Sequence, residues 1–492
     1  MSKAENLNAP SGGEMLAPNS RKAQILEHAN RIAAERGQWI ERNKAYYEDD
    51  RRFMRFLVPK GSRILDLGCG TGELLASLAP SHGVGVDLSP NMIALARKDH
   101  PGLTFHVGDI ETPGVLSGIE GPFDYIVLSD TIGMLDDIEN ALGLLHRLCG
   151  PSTRVIIAYY SRLWEPILTL VEKLGLRMPQ PPLNYLVNND FLNIIDLADF
   201  EPIKVEHRQL VPRRLFGIGT FINRFIAPMP GIRRLCLRNY FVVRSLKAKP
   251  RTDLSVSVII PCRNERGNIE TAIKRMPAFG RTQEIVYIEG NSSDGTYEEC
   301  LRVKDAYAGK HDIKVLRQDG KGKGDAVRKA CANASGDILM ILDADLTMPP
   351  EALPKFYNAI TTGKAEMING SRLVYPMEDE AMRPLNFIAN RFFARVFSYL
   401  VNQRFTDTLC GTKALTKKHY DAIARDRVYF GDFDPFGDFD LIFGAAKQNL
   451  KIIEVPIHYA ARTYGETNIS RFRDGLTLLR MVVFAFIKLK AL

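Results

Sequence analysis

The sequence lacks any Cys-x-x-Cys pair: its seven cysteines stand apart at 69, 149, 236, 262, 300, 331 and 410. An odd, scattered set excludes a disulfide framework and a structural zinc site, and it suits a reducing compartment. No apolar stretch reaches the roughly 18 to 20 residues that span a bilayer. The nearest, Met481 to Ile487, is cut off by Arg480 and Lys488. Residues 1–20 have no apolar core behind a basic start, so no signal peptide is expected, and their Gly, Ser, Pro and Asn content predicts a disordered tail. Acids are nearly missing between Glu206 and Pro250, where ten Lys/Arg face the single acid Glu206. Such a stretch suits an anionic surface, or forms an ordinary solvated face.

What is present is enough chain for two hydrophobic cores, 492 residues at 45% hydrophobic and 25% charged. Apolar strands alternate with helical segments at 63–67, 83–87, 103–107, 123–128 and 153–159, after a polar helical stretch at 21–58. This alternation predicts an α/β fold, a parallel sheet covered by helices with ligands at the carboxyl edge. The first strand runs into Asp66-Leu67-Gly68-Cys69-Gly70-Thr71-Gly72, a turn whose backbone can approach a ligand closely. Asp87 ends the second strand, where a carboxylate can accept from both hydroxyls of a ribose, and Asp109-Ile110 follows the third. His106, inside an apolar strand, reads as a packed core histidine.

Over residues 40 to 160 these motifs resemble the class I S-adenosylmethionine-dependent methyltransferases. The resemblance implies that Gly68, Gly70 and Gly72 line the amino-acid moiety with Asp66 supporting the turn. It also implies that Asp87 holds the ribose, and Asp109 with Ile110 the adenine. Asp130 stands where this family places acceptor-facing residues, as a base or as a helix cap. The methyl acceptor is not legible.

In the second half, Val256 to Ile260 is a buried-strand run broken by Pro261, followed by Asn264-Glu265. A second strand ends at Glu289, a third leads to the loop Gly320-Lys321-Gly322-Lys323-Gly324, and a fourth delivers Asp343-Ala344-Asp345. Two carboxylates one residue apart at a strand end can both reach a Mg²⁺ or Mn²⁺ that also binds a diphosphate. The cation offsets charge on a nucleoside diphosphate leaving group. Six ordered motifs, among them Ser292-Ser293-Asp294-Gly295-Thr296, Gly370-Ser371-Arg372 and Asp407…Cys410-Gly411-Thr412, resemble family-two glycosyltransferases of the GT-A fold over residues 254 to 470. Within them they resemble the dolichyl- or polyprenyl-phosphate sugar synthases.

That resemblance implies a nucleotide-sugar donor, with Pro261, Glu265 and Glu289 at base and ribose, and Lys323, Asp343, Asp345 and Arg372 at the metal and diphosphate. Arg372, Arg383 and Arg462 would bind an acceptor phosphate. Three positions depart from the pattern. Glu289-Gly290 replaces the usual Asp-Asp, Thr347 stands where some relatives supply an amide metal ligand, and Asn468 replaces a frequent lysine. Asp438 and Asp440 lie where relatives that glycosylate hydroxyls carry a base, or they cap the helix beginning near 439.

The expected organisation is a tail at 1–20, a methyltransferase domain at 21–210 and a basic amphipathic connector at 211–252. A GT-A domain at 253–470 and a basic-apolar helix at 471–492 follow. The connector residues Leu215, Phe216, Ile218, Phe221, Ile222 and Phe225 give one apolar helical face, interfacial or core-facing. Phe387 to Val401 and the C-terminal helix are likewise candidates for the headgroup layer. The expected function is a bifunctional enzyme in the cytoplasm, held peripherally at the inner face of the membrane. It would use S-adenosylmethionine and Mg²⁺ or Mn²⁺ and glycosylate a lipid phosphate. Alternatives are a glycan hydroxyl as acceptor, or one domain kept only for binding. No nucleic-acid partner is expected.

Overall fold

The computed structural model of the protein describes residues 20–375, 384–431, 434, 437–460, 464 and 471–492, the side chains of 384–387 and 471–474 excepted. Two seven-stranded sheets organise it. The first holds β1 (Arg63–Leu67), β2 (His82–Asp87), β3 (Thr104–Val107), β4 (Phe123–Ser129), β5 (Cys149–Tyr160), β6 (Phe200–Arg208) and β7 (Arg238–Ser245). Their order is β3-β2-β1-β4-β5-β7-β6, parallel except for β7, which runs antiparallel to both its neighbours. The order reverses between β1 and β4, so the carboxyl ends of β1, β2 and β4 frame a crevice, the usual place for a ligand in such sheets. Local sequence sets the helix starts that close it. Ser89 accepts from the Met92 N–H at 3.2 Å with Pro90 behind it, and the Asp137 carboxylate accepts from the Asn140 N–H.

The second sheet holds β8 (Val256–Cys262), β9 (Gln283–Glu289), β10 (Asp312–Arg317), β11 (Ile338–Ile341), β12 (Met367–Ser371), β13 (Lys413–Thr416) and β14 (Ile452–Pro456). The order is β10-β9-β8-β11-β13-β12-β14, with β13 antiparallel to β11 and β12. Val258, Ile259, Ile260, Leu339 and Met340 are wholly buried, as strands covered on both faces require.

Three expectations change. Strand β7 lies beyond the expected connector yet is central to the first sheet, so that domain closes at Ser245 rather than at residue 210. The apolar run at 215–225 is not one helix. Phe216 (φ 53°) and Gly217 (φ 95°) break it into short turns, with Leu215, Phe216, Ile218 and Phe221 in solvent. His106 is exposed, because β3 is an edge strand and only Phe105 of that strand turns inward.

The halves meet across a seam of buried charge. Arg154 of β5 donates from Nη2 to Glu366 at 2.5 Å and from Nε to the Asn449 carbonyl at 2.7 Å. Lys204 of β6 donates to Ala446 O and Asn449 Oδ1, and Glu206 pairs with Lys490 at 2.7 Å. Much of the expected basic surface is therefore spent internally. Arg208 donates to the Lys490 carbonyl, and Arg244 pairs with Glu201 and donates to the Gly363 carbonyl. A cleft of about 430 Å³ lies between the edge strands, lined by Pro202 and Ile203 of β6 and by Ile452, Glu454 and Pro456 of β14.

Candidate active sites

In the first half the glycine turn has its backbone where only glycine is at ease: Gly68, Gly70 and Gly72 hold φ of 77°, 54° and 78°. A Cβ on Gly68 would overlap Thr131, whose hydroxyl donates to the Leu67 carbonyl at 2.7 Å. Asp87 accepts from the Gly70 N–H at 2.8 Å and from the Ser89 N–H at 2.9 Å, tying the ends of β1 and β2 together. Asp66 is buried, and its Oδ2 has no hydrogen-bond partner. Burial, then the neighbouring Asp87, push its carboxyl up to about 7, against the pull of Arg36. An orphaned carboxylate oxygen beside an open glycine cradle fits a ligand that carries an ammonium group, as the amino-acid end of S-adenosylmethionine does. Ile110 is buried in the core beneath.

The helix Arg21–Ile32 crosses this crevice, which no local signal in the sequence announced. Lys22 donates to both oxygens of Asp109, at 2.7 and 2.6 Å, and pairs with Glu111. Arg36 lies over Gly70, with its Nε buried and unpartnered. Asp109 thus stands at the site but engaged by a lysine.

Asp130 follows β4 with φ of 60°, an uncommon backbone for a non-glycine residue. It does not cap a helix. Its carboxylate takes Nη1 of Arg238 at 2.6 and 2.8 Å. Arg238 opens β7 opposite Tyr160 and also reaches Ser129, Asp50 and the Tyr46 hydroxyl. Burial works against the guanidinium charge, but Asp130 and Asp50 outweigh it and hold Arg238 well above its ordinary pKa. The only hint of this residue in the sequence is a lone arginine at the head of an apolar strand.

A pH dependence follows from Asp66. Its pKa is raised, so below about 7 the carboxyl is largely neutral and cannot hold an ammonium. Binding of S-adenosylmethionine, measured by calorimetric titration, should therefore weaken about tenfold per unit as pH falls from 7 towards 5.5. Asp66→Asn should bind weakly with no such slope; an equal slope in that variant would remove Asp66 from the site.

In the second half, β8, β9 and β11 bring Pro261, Glu265, Glu289 and Asp343 to one sheet edge. Glu265 is buried, with its Oε2 accepting from Asn268 at 2.7 Å. Glu289 is also buried and accepts from the Ser292 N–H at 2.5 Å, so it fixes the loop that leads to Asp294. Lys323 donates to Asp343 Oδ1 at 2.6 Å. Burial raises the Asp343 pKa, but Lys323 more than reverses this, and the carboxylate lies below its usual range. A Cβ at Gly411 would overlap both partners of that pair. Asp345 Oδ1 accepts from the Thr347 N–H at 3.2 Å and its hydroxyl at 2.8 Å. Thr347 thus orients the second acid.

Among the described residues no cluster of three His, Cys, Asp or Glu forms a closed metal site. Asp343 and Asp345 fit a hard cation that completes its shell from a diphosphate and water. The ammonium of Lys323 already offsets the charge that such a cation would meet.

Arg372 is held by a buried partner: Nε and Nη2 donate to the two oxygens of Asp407 at 2.6 and 2.9 Å. This fork fixes the guanidinium near Asp343, whose pKa it helps to lower. Arg383 and Arg462 lie outside the described residues. Asp440 is 4% exposed and accepts from Arg427 Nε at 2.8 Å, so it does not present a base to the Lys323 side. Asp438 is the acid whose charge Lys323 feels, and it is paired with the buried Lys413 at 2.9 Å. Neither caps the helix Phe439–Lys447: Asp434 accepts from the Phe439 and Asp440 N–H groups at 2.8 and 2.9 Å.

Comparison with known proteins agrees with both halves. Residues 257–422 match the glycosyl transferase family 2 model, and residues 39–205 match a methyltransferase domain model. The chain is 31% identical to glycosyltransferase AglJ of Haloferax volcanii over 223 residues, 45% of this chain and 68% of that protein. It is 39% identical to a dolichol-phosphate mannosyltransferase of Pyrococcus furiosus over 124 residues, 25% of this chain and 34% of the relative, so it spans only a third of that relative's length. It is 27% identical to an undecaprenyl-phosphate 4-deoxy-4-formamido-L-arabinose transferase of an Enterobacter species over 226 residues, 44% of this chain and 63% of that one. Among solved structures it resembles a methyltransferase of Thermotoga maritima, described as a possible histamine N-methyltransferase. That match has 22% identity, covers 39% of this chain and 88% of that one, and has a TM-score of 0.34. It also resembles glucosyl-3-phosphoglycerate synthase of Mycobacterium tuberculosis with 18% identity, 48% and 80% coverage, and a TM-score of 0.34. The chain belongs to the family-two glycosyltransferases, and it carries a methyltransferase domain ahead of the glycosyltransferase domain.

Proposed function

We propose a bifunctional enzyme. The second half transfers a sugar from a nucleotide-sugar to a polyprenyl phosphate, and the first transfers a methyl group from S-adenosylmethionine. Glu265 and Glu289 shape the nucleoside pocket. Asp343 and Asp345 hold the divalent cation that offsets charge on the departing diphosphate, while Lys323 supplies a further cation. Arg372, fixed by Asp407, orients phosphate oxygens.

The observation that favours a phosphate acceptor is the state of the acids near the donor site. Asp438 is bound by Lys413 and Asp440 by Arg427, so neither is an unengaged base. A phosphate monoester is ionised at neutral pH and needs no proton removed, whereas a hydroxyl does. Outward apolar positions support peripheral attachment at the inner face of a membrane. They are Ile388 and Phe392 on the helix Pro384–Val401, and Leu479, Val483 and Ile487 on the helix Arg471–Leu489. No described helix is long and apolar enough to cross a membrane.

The test is a panel of nucleotide-sugars offered with polyprenyl phosphate. Asp440→Asn, verified as folded by its melting curve, should keep most of the transfer rate. A loss of about a hundredfold, typical of a missing general base, would exclude the phosphate reading. Asp87→Ala should abolish S-adenosylmethionine binding and leave glycosyl transfer intact; equal loss of both in a folded variant would contradict separate sites.

A further inference from the structure

Arg238 links the carboxyl end of β4 to an apolar rim, since it pairs with Asp130, donates to the Tyr46 hydroxyl and lies over the Tyr160 ring at 5.4 Å. Tyr160 ends β5 and Trp164 follows, both in one ring cluster with Tyr46, Tyr47 and Tyr185. The chain then enters the helix Glu165–Lys173. Leu168 of this helix turns into the cluster, while Leu163, Ile167, Leu170 and Leu174 stand in solvent at between 48% and 63% exposure. The Trp164 indole N–H donates to the Leu235 carbonyl at 2.8 Å, which joins this rim to the segment 213–235.

That segment keeps Leu215, Phe216, Ile218 and Phe221 out of the core. Leu215 and Phe216 hold φ of 44° and 53°, a left-handed backbone that strains bulky side chains, and the Phe216 ring is fully exposed. The core gains no packing from the strained ring. Between residues 207 and 237 the chain has no acid and carries Arg213, Arg214, Arg233 and Arg234. The segment also continues the outward face of the second half, since Tyr399 donates to the Pro228 carbonyl and Arg233 to Asn402.

Resting on the methyltransferase reading above, we propose that this site takes a lipid-borne methyl acceptor, delivered from an anionic bilayer against which the rim and the segment 213–235 dock. Aromatic and basic side chains together on one exposed surface match the headgroup layer, which presents apolar depth beneath negative charge. The acceptor's polar head reaches the tyrosine cluster while its tail stays in the lipid. Arg177 packs on the Tyr160 ring at 4.7 Å with its Nη2 buried and unpartnered, a donor in place for an oxygen of that head. In the transfer, a lone pair on the acceptor oxygen or nitrogen forms the bond to the methyl carbon. The carbon–sulfur bond electrons pass to sulfur, leaving a neutral thioether, and the acceptor's proton is lost to solvent.

The test uses the full chain and vesicles of phosphatidylcholine with one-third phosphatidylglycerol. The variants are Phe216→Asp with Phe221→Asp, and Leu170→Asp with Leu174→Asp, all at exposed positions away from the cofactor crevice. Each pair should cut vesicle retention by about tenfold or more, while S-adenosylmethionine affinity stays unchanged. With methyl-labelled S-adenosylmethionine and vesicles into which cellular lipid extract is mixed, label should enter the organic phase with wild type and fall with both pairs. Retention equal to wild type in both pairs, or no label in the organic phase, overturns the proposal. Absence of S-adenosylmethionine binding in the wild type would instead overturn the methyltransferase reading beneath it.

Discussion

Asp345→Ala should reduce glycosyl transfer by about a thousandfold while leaving the melting temperature and S-adenosylmethionine affinity near wild type. The expected size follows from where the charge lies. Asp343 is shared with Lys323, so a cation would draw its second carboxylate from Asp345. Thr347 presets that carboxylate with two hydrogen bonds, and removing it leaves the cation one acid and whatever the diphosphate offers. Excess chelator should reproduce the loss in the wild type, and added Mn²⁺ or Mg²⁺ should reverse it. Full transfer in chelator would remove the metal from the reaction.

Arg154→Ala should lower stability by about 3 to 5 kcal/mol, the usual cost of stranding one partner of a buried ion pair. Arg154 is 2% exposed and Glu366 7%, so water screens neither charge well. Burial raises the Glu366 pKa, but Arg154 and then His419 overcome it and bring it down to about 2. A depressed carboxyl stabilises the fold above its unfolded pKa and loses that contribution as pH falls through the folded one. Wild-type stability from this pair should therefore fade between about pH 4.5 and 2, a window absent in Arg154→Ala. Pairing Arg154→Met with Glu366→Leu should recover most of the loss, because no charge is then stranded. Urea unfolding followed by intrinsic fluorescence reads all three; a loss under about 1 kcal/mol in Arg154→Ala would mean that the seam contributes little.

Strand positions and ligand-facing turns were legible because they are written locally. An apolar run followed by glycines or an acid pair determines both the element and the edge at which it ends. Long-range partners were not legible. Nothing near Lys22 indicates that it lies 87 residues from its partner Asp109, and nothing near Asp440, readable as a base or a cap, indicates that Arg427 holds it. The basic stretch misled for the same reason. Composition counts Arg208, Arg238 and Arg244 as surface charge, whereas the fold buries all three and leaves the outer role to Arg213 and Arg234. The connector boundary failed because β7 returns to the first sheet after a long excursion, and pairing between β5 and β7 has no sequence-local cause.

The two prolines facing the cleft between the halves have a further effect. An edge strand with free N–H and C=O groups is a template for another strand, and β6 and β14 are the edges that approach each other. Pro202 and Pro456 each withhold a donor at that approach, and the Pro202 region also shifts the β6 register against β7. The two sheets are thereby kept from zipping into one continuous ribbon. The join remains one of side chains reaching side chains and carbonyls, with a cleft of about 430 Å³ left between the two edges.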